Sequence, residues 1–159
     1  MPRKKTKSLQ RKLSPDRKYN SVLVQRLINK TMLSGKKQLA ERSVYEAMAL
    51  AAKKLKSDDP LVVFERAIKN VYPNVEVKSR RVGGANFQIP FPVQGNRQQH
   101  LAFMWFVQAA RSRKGMPIAQ RLSAEIVDAH NQMGGAYKKR EDTHKMAEAN
   151  RAFAHFARG

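Results

Sequence analysis

Apolar residues recur every three or four positions through most of this chain, and one short stretch breaks the rhythm. Leu23, Leu27 and Met32 share a stripe that predicts a first helix from about Ser21, ended by Ser34 and Gly35. A second helix is predicted over 36–55, where Leu39, Ala40, Ser43, Val44, Ala47, Ala51 and Leu55 form one apolar face. Ser57, Asp58 and Asp59 are capping residues placed just ahead of Pro60, a residue suited to a first helical position. Leu61, Phe64, Ile68 and Val71 make the stripe of the third helix, and Pro73 stops it. The fourth helix, over 97–113, carries Leu101, Ala102, Met104, Trp105, Phe106 and Ala109 around most of its circumference, which predicts a central position. Gly115 ends it and Pro117 opens a fifth, whose shared face is Ile118, Leu122, Ile126 and Ala129. Gly134 and Gly135 are read as the separator before a last helix over 138–153.

The exception is 75–91, VEVKSRRVGGANFQIPF. Val75, Val77, Val82, Phe87, Ile89 and Phe91 favour strands, and Gly83 with Gly84 supplies the positive-φ residues of a tight turn. A two-residue turn sets Arg80 against Phe87 and Lys78 against Ile89. A bulged three-residue loop that includes Ala85 instead sets Val77 beside Phe91, Ser79 beside Ile89 and Arg81 beside Phe87, a cleaner apolar face, and is the register expected. Pro90 requires a strand-end or edge position there. The hairpin base is expected to pack on the bundle and the basic tip to project. The fold class is therefore mainly α, a single-domain bundle of about six helices with a protruding β-hairpin arm, and its short connections favour antiparallel neighbours.

Charge changes the picture most. Among 159 residues, Lys and Arg number 32 against 12 acids, a net +20, and so large an excess adds little to fold stability. It points to a polyanionic partner, with nucleic acid first, because each neutralised phosphate releases condensed counterions. An anionic membrane surface is the other candidate, but no apolar run approaches the ~20 residues of a spanning helix and no signal peptide is expected. The absence of cysteine excludes disulfides and thiolate metal sites and fits a reducing compartment. A hydrophobic content of 42% argues for a folded domain. Residues 1–18, with eight basic residues and one acid, are read as a disordered arm, 19–156 as the helical domain, and 157–159 as a tail.

The cations fall into five groups: the N-terminal arm (Arg3, Lys4, Lys5, Lys7, Arg11 and Lys12), Lys30 with Lys36 and Lys37, Lys78 with Arg80 and Arg81, Arg111 with Arg113 and Lys114, and Lys138 with Lys139 and Arg140. Arg97 is added at the start of the fourth helix. A single charge run is usually a solvated face; here acids are nearly absent from the same segments and the runs recur along the whole chain. RNA is favoured over DNA, since no recognition-helix motif, zinc spacing or basic zipper is present and scattered patches suit a folded RNA. An architectural, chromatin-like DNA binder is the alternative. His100, His130, His144 and His155 have no metal-ligand spacing, and His144 with Glu141 and Glu148 reads as a surface ion network. No enzymatic site, cofactor or metal is expected. Trp105 reads as core.

Three strings resemble a known family: GKK at 35–37, SRRVGGANFQIP at 79–90, and KKREDTHKMAEANRAFAHF at 138–156. Pro15, Asp16 and Tyr19 match a PD-x-x-Y pattern, and Leu27, Ile28 and Asn29 a helix-one ending. Over nearly its whole length the chain looks like the bacterial-type small-subunit ribosomal protein seven family. The resemblance implies a helical bundle with a protruding hairpin that binds the 3′ major domain of small-subunit ribosomal RNA and nucleates assembly of the subunit head. It implies that the hairpin lies at the subunit interface, near exit-site transfer RNA and the messenger RNA path. Neighbouring proteins nine and eleven would be partners, with no membrane and no homo-oligomer, in a cytoplasmic or organellar ribosome.

Carried onto this chain, Arg3, Lys4, Lys5, Lys36, Lys37 and residues 111–114 become ribosomal RNA contacts. Arg80, Arg81, Val82, Gly83, Gly84, Ala85 and Asn86 become the hairpin surface near transfer and messenger RNA, extended by Lys138, Lys139, Arg140 and Arg151. Two positions depart from the family pattern. Met104, in place of a common Arg, precedes Trp105, and the chain ends Phe156, Ala157, Arg158, Gly159 where many members end in an aromatic-Arg-Trp string.

Overall fold

The computed structural model describes residues 13–158. Six α-helices appear in chain order: α1 Val22–Thr31, α2 Lys37–Leu55, α3 Pro60–Val71, α4 Gly95–Ser112, α5 Ile118–His130 and α6 Gly134–Ala149. The strands β1 Val75–Val82 and β2 Ala85–Pro92 separate α3 from α4, and a 3-10 helix, Arg151–Arg158, follows α6. The mainly helical fold with one antiparallel hairpin agrees with the sequence reading.

Each helix forms where its apolar residues can be shared. Val24, Leu27 and Ile28 of α1 join Val44, Ala47, Met48 and Ala51 of α2 and Val63, Phe64, Ala67, Ile68 and Val71 of α3 in one core. α4 adds Leu101, Ala102, Phe103, Trp105, Phe106, Val107 and Ala110, and it packs on α1, α3, α5 and α6, as its nearly all-round apolar surface requires. α5 is equally central, lying against α2, α3, α4 and α6. Burying side chains the size of Phe64, Phe106 and Leu122 contributes roughly 1.5–3 kcal/mol each. The helix starts follow ordinary chemistry: Asp59 caps α3 by accepting the Leu61 N–H at 2.8 Å, with Pro60 at the first position.

Three expectations are corrected. Gly134 and Gly135 do not separate helices; they open α6, because the helix start is pressed against α5 and α4 with no room for side chains. A Cβ on Gly134 would stand 2.9 Å from that of Asp128, and one on Gly135 would stand 3.1 Å from that of Ala109. α6 also stops at Ala149 and gives way to the 3-10 helix, where a single helix to 153 was expected. Leu39, read as part of the buried face of α2, is instead 61% exposed.

The hairpin register is the fourth correction. Val82 pairs with Ala85, Arg80 with Phe87 and Lys78 with Ile89, so the loop is the two-residue turn. Gly83 (φ 56°) and Gly84 (φ 91°) both hold positive φ, the demand of a type I′ turn, which matches strand twist better than a bulge does. The mixed face this produces is workable because the long basic side chains of β1 lie over the apolar residues of β2. Lys78 Nζ sits 5.2 Å from the Phe91 ring centre, and Arg80 reaches past Phe87 to the Phe156 carbonyl at 3.0 Å.

Of the arm expected over 1–18, residues 1–12 lie outside the described residues. The Asp16 carboxylate, 3% exposed, fastens the following turn: it accepts the backbone N–H groups of Lys18 (3.0 Å), Tyr19 (2.8 Å) and Ser21 (2.8 Å) and the Tyr45 hydroxyl (3.2 Å).

The attachment of α6 depends on Glu125, fully buried on α5. Its Oε1 accepts the Ala136 N–H at 2.9 Å, capping α6 from another helix, and its Oε2 accepts from Arg113 Nε (3.1 Å) and Nη2 (2.6 Å). Glu125→Ala is expected to destabilise the fold by about 3 kcal/mol, since it strips the cap from α6 and leaves Arg113 with only part of its partner set. Urea unfolding measures this; a loss below the roughly 0.5 kcal/mol of an ordinary surface change would show that the cap is dispensable.

Candidate nucleic-acid interface

Two of the predicted basic groups meet at one end of the bundle. The α1–α2 and α4–α5 connections are adjacent there, joined where Arg111 Nη2 donates to the Thr31 carbonyl at 3.2 Å. Lys36, Arg111 and Arg121 line one open cavity of about 540 Å³. Lys37 and Lys114 stand exposed beside it, and only Lys37 has a carboxylate near, Glu41 at 4.0 Å. Arg113 turns inward, unlike the outward cluster expected over 111–114. It pairs with Glu125 at 2.6 Å and also with Asp128, and the hydrogen bonds to these carboxylates hold its guanidinium above the usual range, against the opposing pull of burial.

The hairpin cations and Arg97 lie at the opposite end of α4. Eighteen helical residues separate the two ends, about 27 Å at 1.5 Å per residue. At the hairpin base, buried Glu76 accepts Arg97 Nε (2.9 Å) and Nη2 (2.8 Å), and Lys78 Nζ lies 2.7 Å from its other oxygen. Burial pushes the Glu76 carboxyl up, but the hydrogen bonds from Arg97 and Lys78 outweigh it and hold the group below its ordinary value. Arg97 is thus a clamp on β1 as well as a surface cation.

Further along the arm, Phe87 packs on Phe153 and Phe156 at 5.1 and 5.6 Å between ring centres, which seats the 3-10 helix against β2. Arg81, opposite Asn86, and the Gly83, Gly84 and Ala85 tip are exposed. Lys138 and Lys139 are exposed on α6, and Arg151 faces exposed Glu148 at 3.5 Å. Arg140, however, is half-buried: its Nη1 donates to the Asn70 carbonyl at 2.6 Å, and its guanidinium lies 4.3 Å from the Tyr137 ring centre. Asn70 Nδ2 in turn donates to the Ala129 and His130 carbonyls, both at 3.0 Å, so Arg140 ties α6 through α3 to the end of α5.

His144 is corrected. It makes no ion pair with Glu141 or Glu148 among the described residues; its Nε2 accepts the Asn74 N–H at 3.1 Å, fixing α6 to the start of the hairpin. Burial, then the nearby Arg140 charge, lowers its pKa, so the neutral ring is the form that fits.

Between the two ends, half-buried Lys30 lines a depression with Arg26, Asn29, Asn96 and His100. Burial, then the charges of Lys30 and Arg97, lowers the His100 pKa. Arg26, which bonds Gln99 and reaches Asn96 Oδ1 at 3.2 Å, and Arg121, whose Nε donates to the Met116 carbonyl, were not singled out from the sequence. Both stand outside charge runs; their only sequence signal is spacing, Arg26 four residues before Lys30 and Arg121 in the first turn after Pro117. Arg3, Lys4, Lys5, Lys7, Arg11 and Lys12 lie outside the described residues. No metal-binding group of His, Asp and Glu occurs among the described residues, and no described helix is long and apolar enough to cross a membrane.

A rigid helical body with cations displayed at both ends and along an arm defines a scaffold for polyanion binding. The comparisons with known proteins are specific: residues 2–151 match the model of the family described as Ribosomal protein S7p/S5e, and the chain belongs to that family, whose members are structural, non-catalytic ribosomal components. It is 58% identical to the small ribosomal subunit protein uS7 of Dictyoglomus thermophilum over 146 residues, covering 92% of this chain and 93% of that one. The protein of the same name from Chloroflexus aggregans is 53% identical over 148 residues (93% and 94%), and that of Roseiflexus sp. RS-1 is 50% identical over 159 (99% of each).

The clamp at Glu76 sets a pH response. Because the folded carboxyl titrates below its ordinary value of 4.5, its contribution to stability is present above that pH and is lost as pH falls through the lower folded value. Glu76→Gln is expected to make the acid-side decline in stability shallower below pH 4.5. Chemical denaturation across pH 3 to 7 measures it, and parallel curves for the two proteins would mean that the clamp carries no linked proton.

Proposed function

We propose that this chain is a structural constituent of the small ribosomal subunit and a primary binder of its ribosomal RNA. It engages the 3′ major domain, nucleates assembly of the head, and lies in a cytoplasmic ribosome. The observation that carries the reading is the distribution of unneutralised charge. Among the described residues, Lys36, Lys114, Arg81, Lys138 and Lys139 have no carboxylate partner and are exposed beside the C-terminal end of α4, on the hairpin and on α6, while Arg113 and Glu76, with its clamp, serve the fold. Affinity then comes from many cation–phosphate contacts and selection from the fixed distance between them. The names of the relatives support the subunit.

Within this reading, Lys30, Lys36, Lys37, Arg111 and Lys114 hold ribosomal RNA, joined by the arm cations from Arg3 to Lys12. Arg80, Arg81 and the Gly83 to Asn86 tip, with Lys138, Lys139 and Arg151, face exit-site transfer RNA and the messenger RNA path. Proteins nine and eleven are the neighbours. The pairing of Phe87 with the 3-10 helix supports a stiff arm rather than a loose one.

Gel shifts against a transcript of the 3′ major domain test the proposal. Binding is expected to exceed that to a random DNA duplex at moderate salt by at least tenfold, and equal binding would favour the architectural DNA alternative. Arg80→Glu with Arg81→Glu is expected to weaken transfer-RNA engagement in assembled subunits while the helical circular dichroism signal stays intact. Removing residues 1–12, which carry six cations, should flatten the salt dependence of binding; an unchanged slope would remove the arm from the contact set.

A further inference from the structure

The cavity at the α1–α2 and α4–α5 end has an unusual floor for a phosphate site. Leu39 is 61% exposed and Leu33 64% exposed, and with half-buried Ile118 they line its apolar part. Leu39 sits in the first turn of α2, where the helix has run past the core it could share, so its side chain finds no buried partner set. Lys36, Arg111 and Arg121 stand around these leucines, and no acidic residue lines the cavity. Two of the cations are held in place by carbonyls, Arg111 on Thr31 and Arg121 on Met116, which fixes their position without neutralising them.

We propose that this cavity is a subsite for a single unstacked nucleotide of the bound RNA, its base lying on Leu33, Leu39 and Ile118 and its flanking phosphates on Lys36, Arg111 and Arg121. The chemistry of the lining selects this occupant. A nucleobase has apolar faces and carries its charge a few ångströms away on the backbone, and sequence-selective RNA binding commonly takes such splayed bases from loops and bulges. A simple inorganic anion has no use for two exposed leucines. The inference rests on the RNA-binding reading and adds a base-recognition element to a surface otherwise made of phosphate contacts.

The test uses the full chain and the 3′ major-domain transcript. Leu33→Ser with Leu39→Ser removes the floor, and because both side chains are exposed the fold is retained, as circular dichroism checks. The double variant is expected to bind roughly tenfold more weakly with an unchanged salt slope, since a base contact is lost and no cation is. Lys36→Gln with Arg121→Gln is expected to lower both the affinity and the slope. In assembled subunits, benzoylphenylalanine in place of Leu39 should crosslink to RNA, at one nucleotide. Unchanged affinity of the leucine variant, or a crosslink to protein instead of RNA, overturns the subsite while leaving the RNA-binding reading in place. If the unaltered chain fails to select the transcript over duplex DNA, the broader reading falls first.

Discussion

Glu125 is a carboxyl side chain with no access to water, and it is tolerable there because each of its two oxygens meets a donor. Arg113 comes from the end of α4, the Ala136 amide from the start of α6, and the carboxylate itself from the middle of α5. Three helices are therefore registered on one group whose desolvation is costly unless all three arrive together. The close fit of Gly134 and Gly135 against Asp128, Glu125 and Ala109 belongs to the same joint. What hangs from that joint is the whole C-terminal segment from Gly134 on: α6, the Arg140–Asn70 link, the His144 bond to the hairpin and the 3-10 helix seated on Phe87.

That joint also explains which parts of the fold were legible in the sequence. Periodicity of 3.6 residues marks a helix whose partners share an apolar stripe, so α1 to α5 could be placed closely, and Asp59 before Pro60 announced a helix start by local chemistry alone. α6 has few apolar residues, only Ala136 and Ala147 being buried, and its start is set by a carboxylate 11 residues back in the chain. No local pattern encodes such a partner, and paired glycines read locally as a break. The hairpin failed for a related reason. Its register was judged by the apolar alternation of its own two strands, whereas the true face is completed by lysine and arginine stems and by phenylalanines that arrive some 65 residues later.

The candidate site divides along the same line. Runs of like charge were visible and mostly proved exposed. What the sequence could not reveal was which member of a run would be drawn inside, because this depends on carboxylates elsewhere: Arg113 goes to Glu125 and Asp128, while Lys114 stays outside. Arg121 and Leu39 illustrate the converse. They are remote from each other in the chain and unexceptional where they stand, and only the meeting of two connections makes them walls of one cavity. Buried arginine–carboxylate pairs and exposed lysines are two uses of the same excess charge. The first locks the body so that the second is presented in a fixed arrangement.

α4 begins where the hairpin ends and finishes at the cavity, with its flanks packed on four other helices. A helix so enclosed neither bends nor stretches without breaking the core around Phe106 and Ala110. It acts as a ruler. Any two ligand segments held at its opposite ends are kept apart by a length counted in residues, and adding or deleting one residue within it would change the spacing by ~1.5 Å and turn one end relative to the other by about 100°. The tolerance for length change in this chain is thus uneven: its connections can absorb it, and this one helix cannot.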